Sequence, residues 1–351
     1  MFKDVKVIEL AGVLAGPAAG TFFAELGADV IKIENPKTGG DMTRQWKLAT
    51  EDPANQSSAY FASANWGKQY LFLDLTAEND LSQLNELIKS ADIIISNWKE
   101  GDGEKFKLSY ADLKKIKPDI IYAQLTGFED ERVAYDVVLQ AETGWMFMNG
   151  DANSGPLKIP VAIIDLFAAH QLKEGILTAY IHKLKTGEGS EVTVSLFDAA
   201  VASLANQASN FLMTGVIPER SGSLHPNIAP YGEILKFADG KNIVLAIGTD
   251  KQFAGLCKIL KCEDLIGDEK YATNKNRVIN RVELFEILKE RANNLSGEEF
   301  IILCNKNNIP IGLIRNMKEL FEMDAAKKLI LEDEVGKRVK TSIYRIKNKS
   351  S

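Results

Sequence analysis

The first 34 residues constrain the fold more than any other part of this chain. Val5-Lys-Val-Ile-Glu-Leu10 alternates as a strand does, and Ala11-Gly-Val-Leu-Ala-Gly-Pro-Ala-Ala-Gly20 is a glycine-rich turn running into a helix that Gly27 stops. Asp29-Val-Ile-Lys-Ile-Glu34 is a second strand. Pro17 suits a first helical turn, where its missing N–H costs nothing. Strand, turn, helix, strand is a βαβ unit, right-handed by default, and its strands must be parallel. The glycines at 12, 16 and 20 do not form G-x-G-x-x-G, so the dinucleotide fingerprint is absent although a helix N-terminus still faces any ligand there.

The same rhythm continues. Tyr70–Leu75 reads as a strand, Thr76 as the cap of a helix reaching Ala91, and Ile93–Ile95 as a buried strand. Ser109-x-x-Asp112 opens a short helix, and Ile120–Leu125 and Glu191–Leu196 are further strands. Alternation of this kind specifies an α/β fold with a mostly parallel sheet, whose active site lies beyond the carboxyl ends of the strands. Those ends are Ala11–Gly16, Asn35–Gly40, Ser96–Lys99 and Thr126–Phe128. Residues 35–68 read as a long polar loop carrying Lys37, Arg44 and Lys68, each able to meet a phosphate.

The pattern changes later. A helix is expected from Asp198 to Met213, then a Pro/Gly/Ser-rich crossing at 215–230 marks a domain boundary. Tyr231–Phe237 and Asn242–Ile247 flank an Asp239-Gly240 turn as a hairpin, and helices follow at 251–260, 274–293 and 296–306, the last opened by Ser296-x-x-Glu299. This half reads as α+β.

One carboxylate stands out. Ile159-Pro-Val-Ala-Ile-Ile-Asp165 is an apolar run leading into a helix expected from Asp165 to Thr186, with Gly187 placed for a left-handed cap. Asp165 is either the N-cap of that helix or a reactive acid held at its positive end. The composition narrows the company it keeps. A net charge of -6 argues against non-specific nucleic-acid binding. Three scattered cysteines and three scattered histidines make neither a disulfide framework nor a metal site. With no secretory h-region and no apolar run of spanning length, a cytoplasmic protein without a membrane partner is expected.

Ten segments in order resemble the family III CoA-transferases. They are Val7–Pro17, Gly27–Glu34, Gly40–Arg44, Asn65–Lys68, Ser96–Lys99, Tyr135-Asp136, Ile163–Asp165, Lys185–Gly189, His225–Tyr231 and Asp250–Phe253. The resemblance implies a Rossmann-like large domain at 1–200 completed by 326–351, a linker at 201–224, a small α+β domain at 225–325, and an interlaced homodimer. It implies that Asp165 is the nucleophile, exchanging CoA between an acyl-CoA and a carboxylic acid through an aspartyl anhydride and an enzyme–CoA thioester. Tyr135 and Asp136 match the family's active-site pair, Tyr135 positioning the acyl group. Lys37, Arg44, Lys68, Asn97, Trp98, Lys99 and Lys105 are its candidates for holding CoA, which serves as substrate with no tightly bound cofactor and no metal.

Two alternatives share the resemblance. α-Methylacyl-CoA racemases have this fold but carry a His at the position of Tyr135, and losing it removes one of two proton-transfer groups. A CoA-binding homologue without activity is the non-enzyme alternative. Leu14 replaces the Gln of formyl-CoA transferases, and 221–232 is not their tetraglycine lid, which argues against formyl-CoA and oxalate as the pair.

Overall fold

The computed structural model describes residues 1–99, 101–130, 132–293 and 295–347, so the end of the expected 326–351 return lies outside the described residues. The chain divides into two compact units, one of residues 1–147, 158–218 and 328–351, the other of 148–157 and 219–327.

The first unit opens with β1 (Lys6–Leu10), α1 (Ala15–Glu25) and β2 (Asp29–Glu34), followed by α2 (Ala59–Ala64) and β3 (Gln69–Phe72). Next come α3 (Glu78–Lys89), β4 (Ile93–Ser96), α4 (Asp102–Lys105), α5 (Tyr110–Ile116) and β5 (Ile121–Thr126). The unit continues with α6 (Asp136–Glu142), α7 (Trp145–Met148, which ends at the unit's edge), α8 (Ile163–Thr186), β6 (Ser190–Ser195), α9 (Leu196–Ala202) and α10 (Ala205–Thr214). The six strands form one sheet in the order β3-β2-β1-β4-β5-β6, every neighbouring pair parallel.

Period-two alternation builds a core on each face. Val7, Ile93 and Ile95 point to the side covered by α1 and α8, where they meet Ala19, Phe23, Leu172 and Ile176. Ile8, Leu10 and Ile94 point the other way, toward Leu84, Ile88 and Leu113 of α3 and α5. Because chain order reverses between β1 and β4, their loops part there and leave a crevice at the carboxyl edge.

The second unit holds an antiparallel sheet, β7 (Tyr231–Lys236), β8 (Asn242–Ala246) and β9 (Ile311–Leu313). Its helices are α11 (Asp250–Ile259), α12 (Asp264–Gly267), α13 (Asn274–Ile279), α14 (Arg281–Ala292), α15 (Gly297–Lys306), α16 (Met317–Glu322) and α17 (Asp324–Lys327). Leu235, Ile243, Leu245, Phe253, Leu288 and Phe300 fill its core. A hairpin, β10 (Ile330–Glu332) and β11 (Lys337–Val339), belongs to the first unit, where Arg338 pairs with Glu25 at 2.8 Å.

Several local expectations change. The polar stretch 35–68 contains α2, capped by Ser58, whose Oγ accepts the N–H of Phe61 at 2.9 Å. The helix expected at 198–213 breaks before Ala205, which takes φ 47°. The one expected at 274–293 breaks at Asn280. Thr76 does not cap α3, whose N-cap is Ala77. Ser296 precedes α15 without capping it, its hydroxyl being turned to Asp239. In the tail a short strand covers Lys337–Val339.

Candidate active site

Helix α8 starts two residues earlier than its sequence pattern suggests. Ala162 is its N-cap and offers no side chain to the helix, so the free N–H groups of the first turn must be met from outside. Asp136 does this: its Oδ2 accepts the N–H of Ile164 at 2.8 Å. Asp165 is therefore the third helical residue and not the cap. Of the two roles open to it, the structural one belongs to Asp136.

Asp165 is buried, 8% exposed, on a helix whose Ile164, Ala168 and Ala169 are buried too. Among the described residues its carboxylate has neither a hydrogen-bond partner nor an ion pair. Burial first, and the nearby charge of Asp136 second, push its pKa from 3.8 up to about 7. Desolvation thus outweighs the help that a helix N-terminus gives an anion. A largely desolvated, unpaired carboxylate is a stronger nucleophile than one in solution.

Asp136 is held in turn. The Nε2 of the buried Gln140 donates to it at 2.6 Å, and the Oε1 of Gln140 accepts the N–H of Ile159 at 2.8 Å. These bonds tie α6 to the segment that leads into α8 and fix the separation of the two carboxyl groups. Tyr135, the residue before Asp136, is the N-cap of α6 and its ring is 43% exposed.

Tyr60, in the stretch read as a loop, lies within the electrostatic reach of Asp165 and Asp136, and the sequence alone did not single it out. Burial, then Asp165, Asp136 and Asp41, push its phenol up to about 12, so it stays a neutral donor in the field of three carboxylates. Trp46 packs edge-on against it with ring centroids 5.0 Å apart. The signal was there in Ser58, a cap residue two positions upstream.

The crevice at the carboxyl edge, running across the ends of β3, β2, β1 and β4, is a cavity of about 230 Å³ lined by Gly12, Asn35, Asp41, Asp74, Trp98 and Phe106 among others. Lys37 stands at its edge, exposed, its Nζ 2.7 Å from Asp74 and 3.0 Å from the hydroxyl of Thr76. That ammonium and the Thr76 hydroxyl hold Asp74 down at about 2. Trp98 packs on Phe106 at 5.7 Å, and the exposed Lys105 lays its Nζ over the Phe106 ring at 5.1 Å. Lys99 is exposed beside Trp98 in the chain. Of these four candidates Trp98 lines the crevice itself, while Lys37 reaches its lining residues Asp74 and Thr76 and Lys105 reaches its lining residue Phe106.

Three candidates do other work. Arg44 is buried and forks onto Glu34 through Nε at 2.8 Å and Nη2 at 2.5 Å, its Nη1 reaching Gln56 O and Ser57 Oγ, and its plane lies 3.8 Å over Phe61. Lys68 lies beneath the sheet edge with Glu9 at 2.7 Å and Pro17 O, Ala64 O and Asn65 Oδ1 within 3.0 Å. Burial brings its pKa down to about 7 against the pull of Glu9. Lys68 has no donor left for a phosphate, and Arg44 has four of its five N–H groups engaged; each neutralises a carboxylate that the sheet has buried. Asn97 is exposed but its amide is engaged with the backbone of Gly12, accepting from N at 3.0 Å and donating to O at 2.9 Å. Among the described residues no group of three or more His, Cys, Asp or Glu is arranged to hold a metal. Among them, too, no helix is long and apolar enough to cross a membrane.

A doubly wound sheet with a crevice at its switch point, and one buried carboxylate near a helix mouth, make an arrangement able to take a nucleotide-bearing substrate. Residues 2–343 match CoA-transferase family III, and the chain belongs to that family as a CoA-transferase exchanging CoA between an acyl-CoA thioester and a carboxylic acid. It is 38% identical over 327 residues to the succinate–glutarate CoA-transferase of Agrobacterium fabrum, spanning 91% of this chain and 81% of that protein. Human succinyl-CoA:glutarate CoA-transferase is 35% identical over 91% of this chain and 73% of its own length. A CAIB/BAIF family protein from Brucella suis has a solved structure that superposes with a TM-score of 0.84 at 36% identity, over 97% of this chain and 91% of that one. Rv3272 from Mycobacterium tuberculosis superposes at 0.85 with 27% identity, over 98% and 93%.

Proposed function

We propose that Asp165 carries the acyl cargo, and that the substrates are short dicarboxylic acids and their CoA thioesters. The observation that supports this most is the burial of an unpaired Asp165 carboxylate. An Oδ of Asp165 attacks the thioester carbon and CoA leaves as thiolate, giving a mixed anhydride. The thiolate then attacks Cγ of Asp165, the donor acid departs as carboxylate, and an enzyme–CoA thioester remains. The acceptor carboxylate attacks that Cγ and expels CoA as thiolate, re-forming an anhydride, and the thiolate then attacks the acceptor acyl carbon and expels the Asp165 carboxylate. Asp165 returns to its starting state and no water is consumed, which is why a dry site is required. Tyr60 and Tyr135 offer phenolic donors to the oxygen that gains charge at each tetrahedral stage.

The crevice edged by Lys37, Trp98, Lys99 and Lys105 suits the nucleotide end of CoA, the ammonium groups complementing its phosphates. The dicarboxylate reading follows relatives whose names specify succinate, glutarate and mesaconate. A homodimer fits α10, on which no residue is buried and Phe211, Leu212 and Met213 are exposed with Val216 and Ile217 just beyond. So large an apolar face is unusual on a monomer.

Mass spectrometry after adding succinyl-CoA and hydroxylamine tests the mechanism: Asp165 should be recovered as a hydroxamate, and unmodified Asp165 with exchange intact in Asp165→Ala would refute it. Exchange confined to monocarboxylic acids would refute the substrate class. Deuterium entering the α-carbon of a 2-methylacyl-CoA without acceptor acid would favour the racemase alternative. Sedimentation as a monomer would refute the dimer.

A further inference from the structure

The turn between β1 and α1 is held by three side chains that come from three other places in the sheet. Lys32 of β2 donates to Ala11 O at 2.5 Å. Asn97, just after β4, pairs with both polar atoms of the Gly12 peptide, as a second peptide strand would. Asp41, from the loop after β2, accepts the N–H of Val13 with both carboxylate oxygens, at 3.3 and 3.1 Å. Four consecutive backbone polar groups thus have fixed partners, on both sides of the switch point.

The arrangement holds an unfavourable backbone in place. Val13 has φ 69°, in the left-handed region, where a β-branched residue is an outlier. The groups that keep it there are themselves immobile. The Asp41 side chain is buried and takes Lys32 at 3.1 Å, Thr43 N at 3.0 Å and Thr43 Oγ1 at 2.8 Å. Lys32 is buried against Glu9 at 2.9 Å. Gly12 and Asp41 both line the crevice, and α1, which starts two residues after Val13, packs on α8 through Ala19, Phe23, Ala168 and Leu172. The turn therefore stands between the crevice and the helix that carries Asp165.

We propose that Asn97 and Asp41 are positioning residues that clamp the Gly12–Val13 turn in its strained shape, so that CoA seated in the crevice delivers its thioester toward Asp165. This rests on the reading that the crevice takes CoA. Released on one side, Val13 relaxes to negative φ and the turn moves into the path of the ligand. Glycine at position 13 has no such tendency, since it adopts positive φ without steric penalty.

The test uses CoA itself as the binding probe, by titration calorimetry, together with KM for succinyl-CoA. Asn97→Ala, an exposed position where folding is not at risk, should raise both constants about tenfold while kcat changes about twofold at most, a misplacement effect of ordinary size. Asp41→Asn should shift the same constants in the same direction. Adding Val13→Gly to Asn97→Ala should recover most of the loss, which a purely stabilising role for Asn97 would not produce. If the wild-type protein binds CoA and Asn97→Ala binds it equally well, or if Val13→Gly makes the double variant worse, the clamp is overturned and the crevice reading survives. If the wild type does not bind CoA at all, both are overturned.

Discussion

The carboxylate of Asp136 lies 2.8 Å from the backbone nitrogen of Ile164, capping the helix whose next residue is Asp165. The same charge is the second cause of the raised pKa of Asp165, after burial. One acid thus orients the helix mouth and keeps its neighbour from ionising early. Replacing Asp136 by Asn should move the pH–rate midpoint assigned to Asp165 downward, because the repelling charge is gone while an acceptor for Ile164 remains. Asp136→Ala should also cost about 1 kcal/mol of stability through the lost cap. Rate profiles and urea midpoints for the two variants separate these effects.

On the proposed mechanism Asp165 attacks only as carboxylate. With its pKa near 7, kcat/KM should rise in proportion to hydroxide below that pH and level off above it. Measuring kcat/KM from pH 5 to 9 checks this, and a flat profile across the range would count against Asp165 as the attacking group.

The same shift carries a stability signature. The folded pKa lies above the ordinary value of 3.8, so the native state retains a proton that the unfolded chain loses. Below pH 4 both states are protonated and the group contributes nothing; as pH rises toward 7 it destabilises the fold, by up to about 4 kcal/mol at full ionisation. Asp165→Asn should therefore match wild-type stability near pH 4 and exceed it at pH 8. Urea unfolding at the two pH values is the measurement.

Arg44 and Glu34 form a buried bidentate pair, and removing the cation leaves its carboxylate without compensation. Arg44→Ala should cost about 3–5 kcal/mol, and Arg44→Lys should restore only part of it, since an ammonium lacks the guanidinium fork. By contrast Lys37→Ala, at an exposed position, should leave the urea midpoint unchanged. It should raise KM for the acyl-CoA severalfold at low salt, with the difference shrinking as ionic strength rises.

Gly20 faces Glu9 within α1, and a Cβ there would overlap Glu9 Oε2, the atom that pairs with Lys68. Gly20→Ala should destabilise by about 1–3 kcal/mol despite alanine's better helix propensity, because overpacking outweighs propensity in a filled site. A lowered melting temperature is the expected result.

Local patterns carried most of the first unit. The six strands, the long helix from Ile163 to Thr186 with Gly187 closing it at φ 77°, and the crevice beyond β1 and β4 all follow from alternation, apolar runs and cap residues, which act over a few positions. Asp165 and its neighbour in space Asp136 were both legible through their motifs. What each cation near the crevice does was not. Lys37, Arg44 and Lys68 look alike in the sequence, yet the sheet pairs Arg44 with Glu34 and Lys68 with Glu9, and leaves Lys37 at the surface. Asn97 reads as a ligand contact and serves the Gly12 backbone 85 residues away; Tyr60 reads as loop and lies in the field of three acids. Propensity and periodicity are properties of neighbours along the chain, so the amino-acid order alone determined the elements and their parallel order. Which charges are neutralised, which carboxylate stays unpaired and which turn is clamped depend on burial and on partners tens of residues apart, and those were decided only when the sheet closed over them.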